Sequence, residues 1–307
     1  MSRLAARVLA GSTLALVAGG LLLLERAAPD GLVAWACATA LALLTSWELA
    51  HMGAFRARGL GPPLYAATLG VSAATWFGYG GFGVLGSNAG SWFLASFLVQ
   101  YPITLLLALA LSNLRTHSGT VEIVAPFPPH SWRESVAMTP VVLAIWSVPP
   151  LFGLVPIARD SGTFGLVALL VLSKIGDSAG YFVGRKIGKR HPFPSISPGK
   201  TVAGCVASLV AGVVAGAVLV PLAWNEVGIR SLAFGILIGA AVNVAAQAGD
   251  LAKSWVKRRA GVKDSSRLLG PSGGVLDVVD SLLFTAPLAV LLWPRIFPSV
   301  APVPFIF

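Results

Sequence analysis

GDLAKSWVKRRAGVKDSSRLLGPSGGVLDVVDSLL, residues 249–283, decides how this chain is read. The stretch holds four of the twelve acidic residues of the chain, Asp250, Asp264, Asp277 and Asp280, and between them six bases, Lys253, Lys257, Arg258, Arg259, Lys263 and Arg267. On a helix from Asp250, residues Ser254 and Lys257 fall at i+4 and i+7 and share a face. Asp277 and Asp280 are three apart and Ser281 is four from Asp277, so a helix starting after Gly273-Gly274 would align them too. Two carboxylates at that spacing can hold a hard cation such as Mg²⁺, which prefers oxygen ligands and often keeps phosphate oxygens in its shell. Residues 269–274, LGPSGG, lack side-chain bulk and predict a tight loop whose successive N–H groups could cradle phosphate. The other reading is a solvated segment at a membrane edge, its bases marking the cytoplasmic side. Spacing leaves both open.

Composition sets the class. Of 307 residues, 56% are hydrophobic and 11% charged, and the mean hydropathy is +0.81. These values predict an all-α integral membrane protein, a polytopic bundle, and exclude an ordinary soluble domain. The net charge of +10 is spread over loops between apolar runs, so it does not point to nucleic acid. Cys37 and Cys205 both lie in apolar runs and suggest neither a disulfide framework nor a zinc site. The four histidines show no ligand spacing.

About nine transmembrane helices are expected, over 4–24, 32–54, 63–84, 92–112, 135–157, 162–184, 202–222, 229–249 and 282–298. Arg3 and Arg7 before the first run resemble a signal peptide, but eight further spans favour an uncleaved anchor. With the N-terminus cytoplasmic, 17 of the 22 Lys and Arg fall in cytoplasmic loops, and only Arg26, Arg159, Arg230 and Arg295 fall outside. The remaining one, Lys174, lies within a span. Residues 1–120 then form an N-terminal helical region for lipid entry or dimerisation. Residues 135–307 form a catalytic membrane domain with cytoplasmic loops 185–201 and 250–281. Pro149-Pro150 should break or kink the fifth span.

The C-terminal half carries small-residue rows that let helix backbones approach: Gly176, Gly180, Gly184, Gly188; then Gly204, Ser208, Gly212, Gly216; then Gly235, Gly239, Asn243, Gln247. Asn243 and Gln247 are either interhelical links or the lining of a polar cavity. Lys174 and Asp177, at i,i+3, neutralise each other, or Asp177 points into the same cytoplasmic-side cavity as Asp250. In the basic segment 184–201, residues Ser197, Lys200 and Thr201 could bind phosphate, or the segment could be an ordinary positive-inside loop.

These segments resemble the phosphatidate cytidylyltransferases, also called CDP-diacylglycerol synthases. That family's C-terminal pattern is S-x-x-K-R-x4-K-D, a loop ending H-G-G, then φ-x-D-R-φ-D-S, with φ apolar. It is matched by Ser254, Lys257, Arg258, Lys263, Asp264, Gly273, Gly274, Asp277, Asp280 and Ser281. Upstream, Asp177, Ser178, Tyr181, Gly184, Arg185, Gly188 and Lys189, then Ser197, Pro198, Lys200, Thr201 and Gly204, match two further elements. The likeness covers about 160–290. Three positions depart: Ser272 stands for the His, Val278 for the Arg, and Lys253 where many bacterial relatives have an acid.

The resemblance implies transfer of CMP from CTP to phosphatidate, giving CDP-diacylglycerol and pyrophosphate for phospholipid biosynthesis. The expected setting is a bacterial inner (cytoplasmic) membrane, with the site facing the cytoplasm and a homodimer as assembly. It implies Mg²⁺ and a second, monovalent cation such as K⁺. Asp250, Asp277 and Asp280 become the expected metal ligands and, with Lys257, the catalytic set. Lys200, Ser197, Ser254, Arg258, Lys263, Asp264, Gly273 and Gly274 become substrate contacts. The alternatives are transfer to another lipid phosphate, a catalytically silent relative that binds lipid or nucleotide, and a transporter. Charge gathered at one face, with no internal repeat, argues against transport.

Overall fold

The computed structural model describes residues 3–27, 31–53, 65–66, 68–70, 72–73, 149–270 and 273–296. The elements among them are α-helices: α1 (Arg3–Ala27), α2 (Leu32–His51), α3 (Pro149–Phe152), α4 (Leu154–Ile187), α5 (Val202–Trp224), α6 (Ile229–Arg259), α7 (Val275–Val279) and α8 (Leu282–Ile296). The expected span 92–112, most of 63–84 and 135–157, the loop 113–134 and Ser272 lie outside the described residues. Among those described, Leu32–His51, Pro150–Ile187, Val202–Trp224 and Ile229–Arg258 are long and apolar enough to cross a membrane, and Leu282–Trp293 is a shorter apolar helix.

The sequence of α5 explains its place between α4 and α6. Its small residues Gly204, Ser208, Gly212 and Gly216 form one buried row. Val206, Val210, Val214 and Val218 form another row, each more than half exposed. Large apolar side chains outward and small ones inward is the pattern of a helix solvated by lipid, where close backbone approach replaces the hydrophobic effect as the force between helices. A Cβ added to Gly180 of α4 would lie 3.0 Å from the Gly204 carbonyl oxygen, and one added to Gly212 would lie 2.9 Å from that of Gly239 in α6. Helices α4, α5 and α6 therefore meet backbone to backbone, and many small dispersion contacts add up along both seams.

The polar residues in these seams are satisfied within them. Asn243 Nδ2 donates to Ser208 Oγ at 3.1 Å, and Gln247 Nε2 donates to Asn243 Oδ1 at 2.7 Å and to the Cys205 carbonyl at 3.3 Å. Of the two readings open for these amides, the interhelical link is the one observed.

One interruption falls where the sequence places it, and a second, at Gly162, adds to it. Pro149-Pro150 open a single turn, α3, and Gly153 separates it from α4. Gly162 breaks α4 with φ +60° and ψ −166°, a conformation closed to side-chain-bearing residues. A third boundary differs. Helix α6 does not stop at 249 but continues to Arg259, because no Gly or Pro interrupts residues 250–260. It ends in a Schellman motif at Gly261 (φ +74°), where Gly261 N donates to Arg258 O at 3.1 Å and Val262 N to Lys257 O at 3.0 Å. The first turns of the expected loop 250–281 are thus helix.

Helix α8 closes the bundle. Trp293 is fully buried and donates from Nε1 to the Gly165 carbonyl at 2.8 Å, and Ser173 and Thr285 hydroxyls pair at 2.8 Å. Trp224 Nε1 ties the far end of α5 to the Ile296 carbonyl at 2.7 Å. The end of α4, the start of α5, the end of α6 and the start of α8 consequently share the opposite end of the bundle.

Gly212→Val should therefore drive a branched side chain into α6 and cost about 3 kcal/mol or more. Trp293→Ala should cost about 3–5 kcal/mol. Val210→Ala, on the lipid-facing row, should stay within about 0.5 kcal/mol. Thermal unfolding in detergent micelles measures all three, and a seam variant as stable as the Val210 control would contradict this packing.

Candidate active site

The charged end of the bundle is assembled from the last turns of α6, from α7, and from the turns that enter α5 and α8. On α6, Asp250, Lys253 and Lys257 share a face, so Lys253 rather than Ser254 fills the inward position. Gly249, one residue earlier, lets α8 come close: a Cβ there would stand 2.5 Å from the Asp280 carbonyl oxygen and 3.3 Å from the Phe284 ring. That approach carries Asp280 against α6.

Acids and bases then alternate. Lys253 Nζ lies 2.9 Å from Asp250 Oδ1 and 3.7 Å from Asp277 Oδ1, and it pairs with Asp280 Oδ2. Lys200 Nζ, from the turn before α5, is 2.7 Å from Asp250 Oδ2. Lys257 Nζ is 2.7 Å from Asp277 Oδ1, and Lys174 Nζ of α4 is 3.1 Å from Asp280 Oδ1. Lys174 also stands 4.0 Å from Asp177, whose side chain is half exposed at the rim. Lys174 thus pairs with Asp177, as the spacing allows, and also reaches Asp280 in the cluster, which the sequence does not indicate. Lys253 and Asp280 are almost wholly buried, whereas Lys174 and Lys200 keep 37% and 20% of their side chains exposed.

Asp277 sits at the start of α7. Its Oδ2 accepts from Ser265 Oγ at 2.9 Å, Ser265 N at 3.2 Å and Gly274 N at 3.2 Å. Burial pushes this carboxyl up, but the hydrogen bond and charge of Lys257, the charge of Lys253 and the Gly274 N–H outweigh it and hold the group below the usual carboxylate range.

One residue escapes any motif. Glu48, on α2, is buried against this loop and accepts from Ser265 Oγ (3.0 Å), Ser266 Oγ (2.6 Å), Val275 N (2.7 Å) and Leu276 N (2.8 Å). It satisfies the orphan N–H groups of the first turn of α7, and Ser265 joins it to Asp277. The only sequence signal was an acid inside an apolar run, which by itself marks a functional or structural exception.

The other expected site residues divide. Gly273 adopts φ +86°, and its N–H closes onto Gly270 O at 3.2 Å. The N–H groups of 274–276 go to Asp277 and Glu48, so this run serves the protein's own carboxylates rather than an open phosphate cradle. Ser197 accepts from the Lys200 N–H at 3.1 Å and shapes the turn that presents Lys200. Arg258 is exposed and donates from Nε to the Ile196 carbonyl at 3.3 Å, joining α6 to the basic loop 185–201. Ser254 is half-buried beside Lys253, while Lys263 and Asp264 are exposed and stand outside the alternating cluster.

The carboxylates do not fit a resident Mg²⁺ as they stand. Both oxygens of Asp250, of Asp277 and of Asp280 already accept from lysine or from N–H and hydroxyl donors of the chain. A hard cation requires such oxygens free to turn toward it.

An apolar helical bundle that collects acids and bases at one end, next to a rim of exposed Arg185, Lys186, Lys189 and Arg190, defines a membrane protein suited to a multiply charged anion. The chain belongs to the cytidylyltransferase family, whose sequence model matches residues 5–294. It is 38% identical over 128 residues to the uncharacterized protein YnbB of Escherichia coli K12, covering 42% of each chain. It is 39% identical over 127 residues to a phosphatidate cytidylyltransferase of Haemophilus influenzae, covering 41% of this chain and 44% of that one. It is 37% identical over 147 residues to a phosphatidate cytidylyltransferase of Helicobacter pylori, covering 46% and 52%. The chain thus spans about half the length of the curated relatives it matches.

Glu48→Ala would leave two N–H groups and the Ser266 hydroxyl without their acceptor, while the Ser265 hydroxyl keeps Asp277, at a cost of about 1–3 kcal/mol for each group that stays dry. The expected result is faster proteolytic cutting within 261–274 with α4–α6 intact, and a smaller effect for Glu48→Gln. Limited proteolysis followed by mass spectrometry reads the difference; equal cutting of wild type and Glu48→Ala would contradict the clamp.

Proposed function

We propose that this protein is a CTP:phosphatidate cytidylyltransferase, a nucleotidyltransferase of phospholipid biosynthesis. The observation that carries the reading is the alternating Asp–Lys cluster at one end of an apolar bundle, in a chain of the cytidylyltransferase family. The relatives in Haemophilus influenzae and Helicobacter pylori bear the name of this activity.

A phosphate oxygen of phosphatidate attacks the α-phosphorus of CTP. The bond from that phosphorus to the oxygen bridging the α- and β-phosphates breaks, and pyrophosphate leaves with the electron pair. The attacking phosphate is already ionised, so no strong base is needed. What the protein contributes is positioning and charge neutralisation. Lys200, Lys257 and Lys174 are suited to both, since each is aimed by a carboxylate and each can exchange that carboxylate for a phosphate oxygen. Asp250, Asp277 and Asp280 keep the lysines in place between turnovers. Arg258, Lys263 and the basic rim draw the nucleotide in. Mg²⁺ would enter with the phosphates of CTP, because the carboxylates are already engaged.

The bundle of about nine helices would place this end at the cytoplasmic face of a bacterial inner membrane, with the N-terminus on the same side. The excess of Lys and Arg in the corresponding loops supports that orientation. A homodimer, with residues 1–120 guiding lipid entry or pairing, belongs to the same proposal. Transfer to another lipid phosphate is the second reading, favoured by the plain valine row of α5, which offers nothing to distinguish one acyl chain from another.

Purified protein given labelled CTP, phosphatidate and Mg²⁺ should form CDP-diacylglycerol. Asp277→Asn, though folded, should lower turnover by roughly 100-fold or more, the scale of losing one preorganised charge contact. Lys200→Ala should lower kcat/KM for CTP by about 10–100-fold. Folded wild type without product would sink the reading with phosphatidate, and a fully active Asp277→Asn would remove that carboxylate from the site.

A further inference from the structure

We propose that the Lys253 ammonium is the resident cation of the carboxylate cluster, standing where three converging carboxylates would otherwise hold a divalent metal ion. The proposal deepens the reading above and leans on it for the reaction alone; whether the cluster binds metal is a separate measurement.

Position comes first. Asp250 comes from α6, Asp277 from α7 and Asp280 from the turn that ends α7, and among the described residues Lys253 is the one cation within 4.0 Å of all three. Carboxylates brought this close repel one another strongly unless a cation sits between them. The cation present is covalently part of α6. It is only 7% exposed, so it cannot turn out to water as Lys174 or Lys200 can.

Charge comes second. The cluster comprises Asp177, Asp250, Asp277 and Asp280 against Lys174, Lys200, Lys253 and Lys257, four negative and four positive. Glu48, behind Ser265, is satisfied separately by hydroxyl and N–H donors. A balanced cluster has no net charge with which to draw a divalent ion out of water. Removing the Lys253 charge leaves one negative charge in excess, and reversing it leaves two.

Donor geometry comes third. An ammonium has three donors and no acceptor, and here it reaches Asp250 and Asp280 at hydrogen-bond distance while Asp277 stands in charge contact at 3.7 Å. Asp250 and Asp280 turn their other oxygens toward Lys200, Lys174 and the N–H of Ser281, while Asp277 shares its Oδ1 between Lys253 and Lys257 and gives Oδ2 to Ser265 and Gly274. Lys253 therefore acts as a positioning residue. It fixes the carboxylates that in turn aim the three lysines able to meet phosphate.

The test is Mn²⁺ binding to the full chain in detergent, without nucleotide or lipid, with free Mn²⁺ followed by electron paramagnetic resonance. Wild type should take up no stoichiometric Mn²⁺. Lys253→Glu should acquire one site per chain, at least roughly 100-fold tighter than wild type, because two units of charge change at contact distance. Adding Asp277→Asn to Lys253→Glu should abolish that site. A merely structural lysine would give no such gain. One Mn²⁺ bound per wild-type chain and lost in Asp280→Asn would overturn the proposal, as would a folded Lys253→Glu with unchanged Mn²⁺ affinity. If Lys253→Glu does not fold, Lys253→Gln serves in its place, with a gain of roughly 10-fold expected from the loss of one charge; the wild-type titration decides the matter if neither folds. A chain that makes CDP-diacylglycerol while holding Mn²⁺ on Asp280 refutes only the built-in cation. A chain without a Mn²⁺ site and without transferase activity refutes only the reaction.

Discussion

The structure depends on one electrostatic constraint: carboxylates withdrawn from water must each meet a positive group. Lys253 meets that requirement for Asp250, Asp277 and Asp280 together. Burying such an ion pair gains little by itself, but stranding one member costs several kcal/mol. The elements around it follow from this asymmetry. Helix α6 must stay helical past the apolar span to carry Asp250, Lys253 and Lys257 on one face. Gly249 must lack a side chain so that Asp280 can reach α6. Helix α7 must start where Asp277 can take both the Lys257 ammonium and the loop's N–H groups.

The apolar part of the bundle supplies the rigidity this end requires. The seams between α4, α5 and α6 are built from glycine and serine, with Asn243 and Gln247 as polar cross-links. Small residues leave no slack for one helix to slide past the next. Lys174 and Lys200 therefore stand at fixed distances from α6, although they belong to separate elements.

Much of this was legible in the sequence, for identifiable reasons. Helix α5 is apolar throughout with a four-residue glycine row, and both features translate directly into structure. The break at Pro149-Pro150 follows from backbone chemistry, whereas Gly162, one glycine among many, carries no such signal. The resemblance alone assigns Lys200 and Asp250 to one site, and their direct pairing appears only in the fold. Other features were hidden because they depend on tertiary placement. Hydropathy ended α6 at 249, since charge terminates an apolar span but does not terminate a helix. Lys253 read as a departure from a pattern, and only its three partners show what it does. Lys263 and Asp264, equally charged in sequence, stand exposed outside the cluster. Glu48 lies 217 residues from Ser265, and nothing local announces a partner so distant.

That separation has a consequence for how the protein is made. Glu48 enters the membrane early, yet the serines and N–H groups that receive it are synthesised more than two hundred residues later. At ribosomal speeds of about 5–20 residues per second, the acid waits roughly 10–45 s for its partners. During that interval α2 carries an unpaired carboxylate at its end, and a chain cut short before residue 265 carries it permanently. Assembly of the charged end is thus also the step at which the acid of α2 first meets its partners.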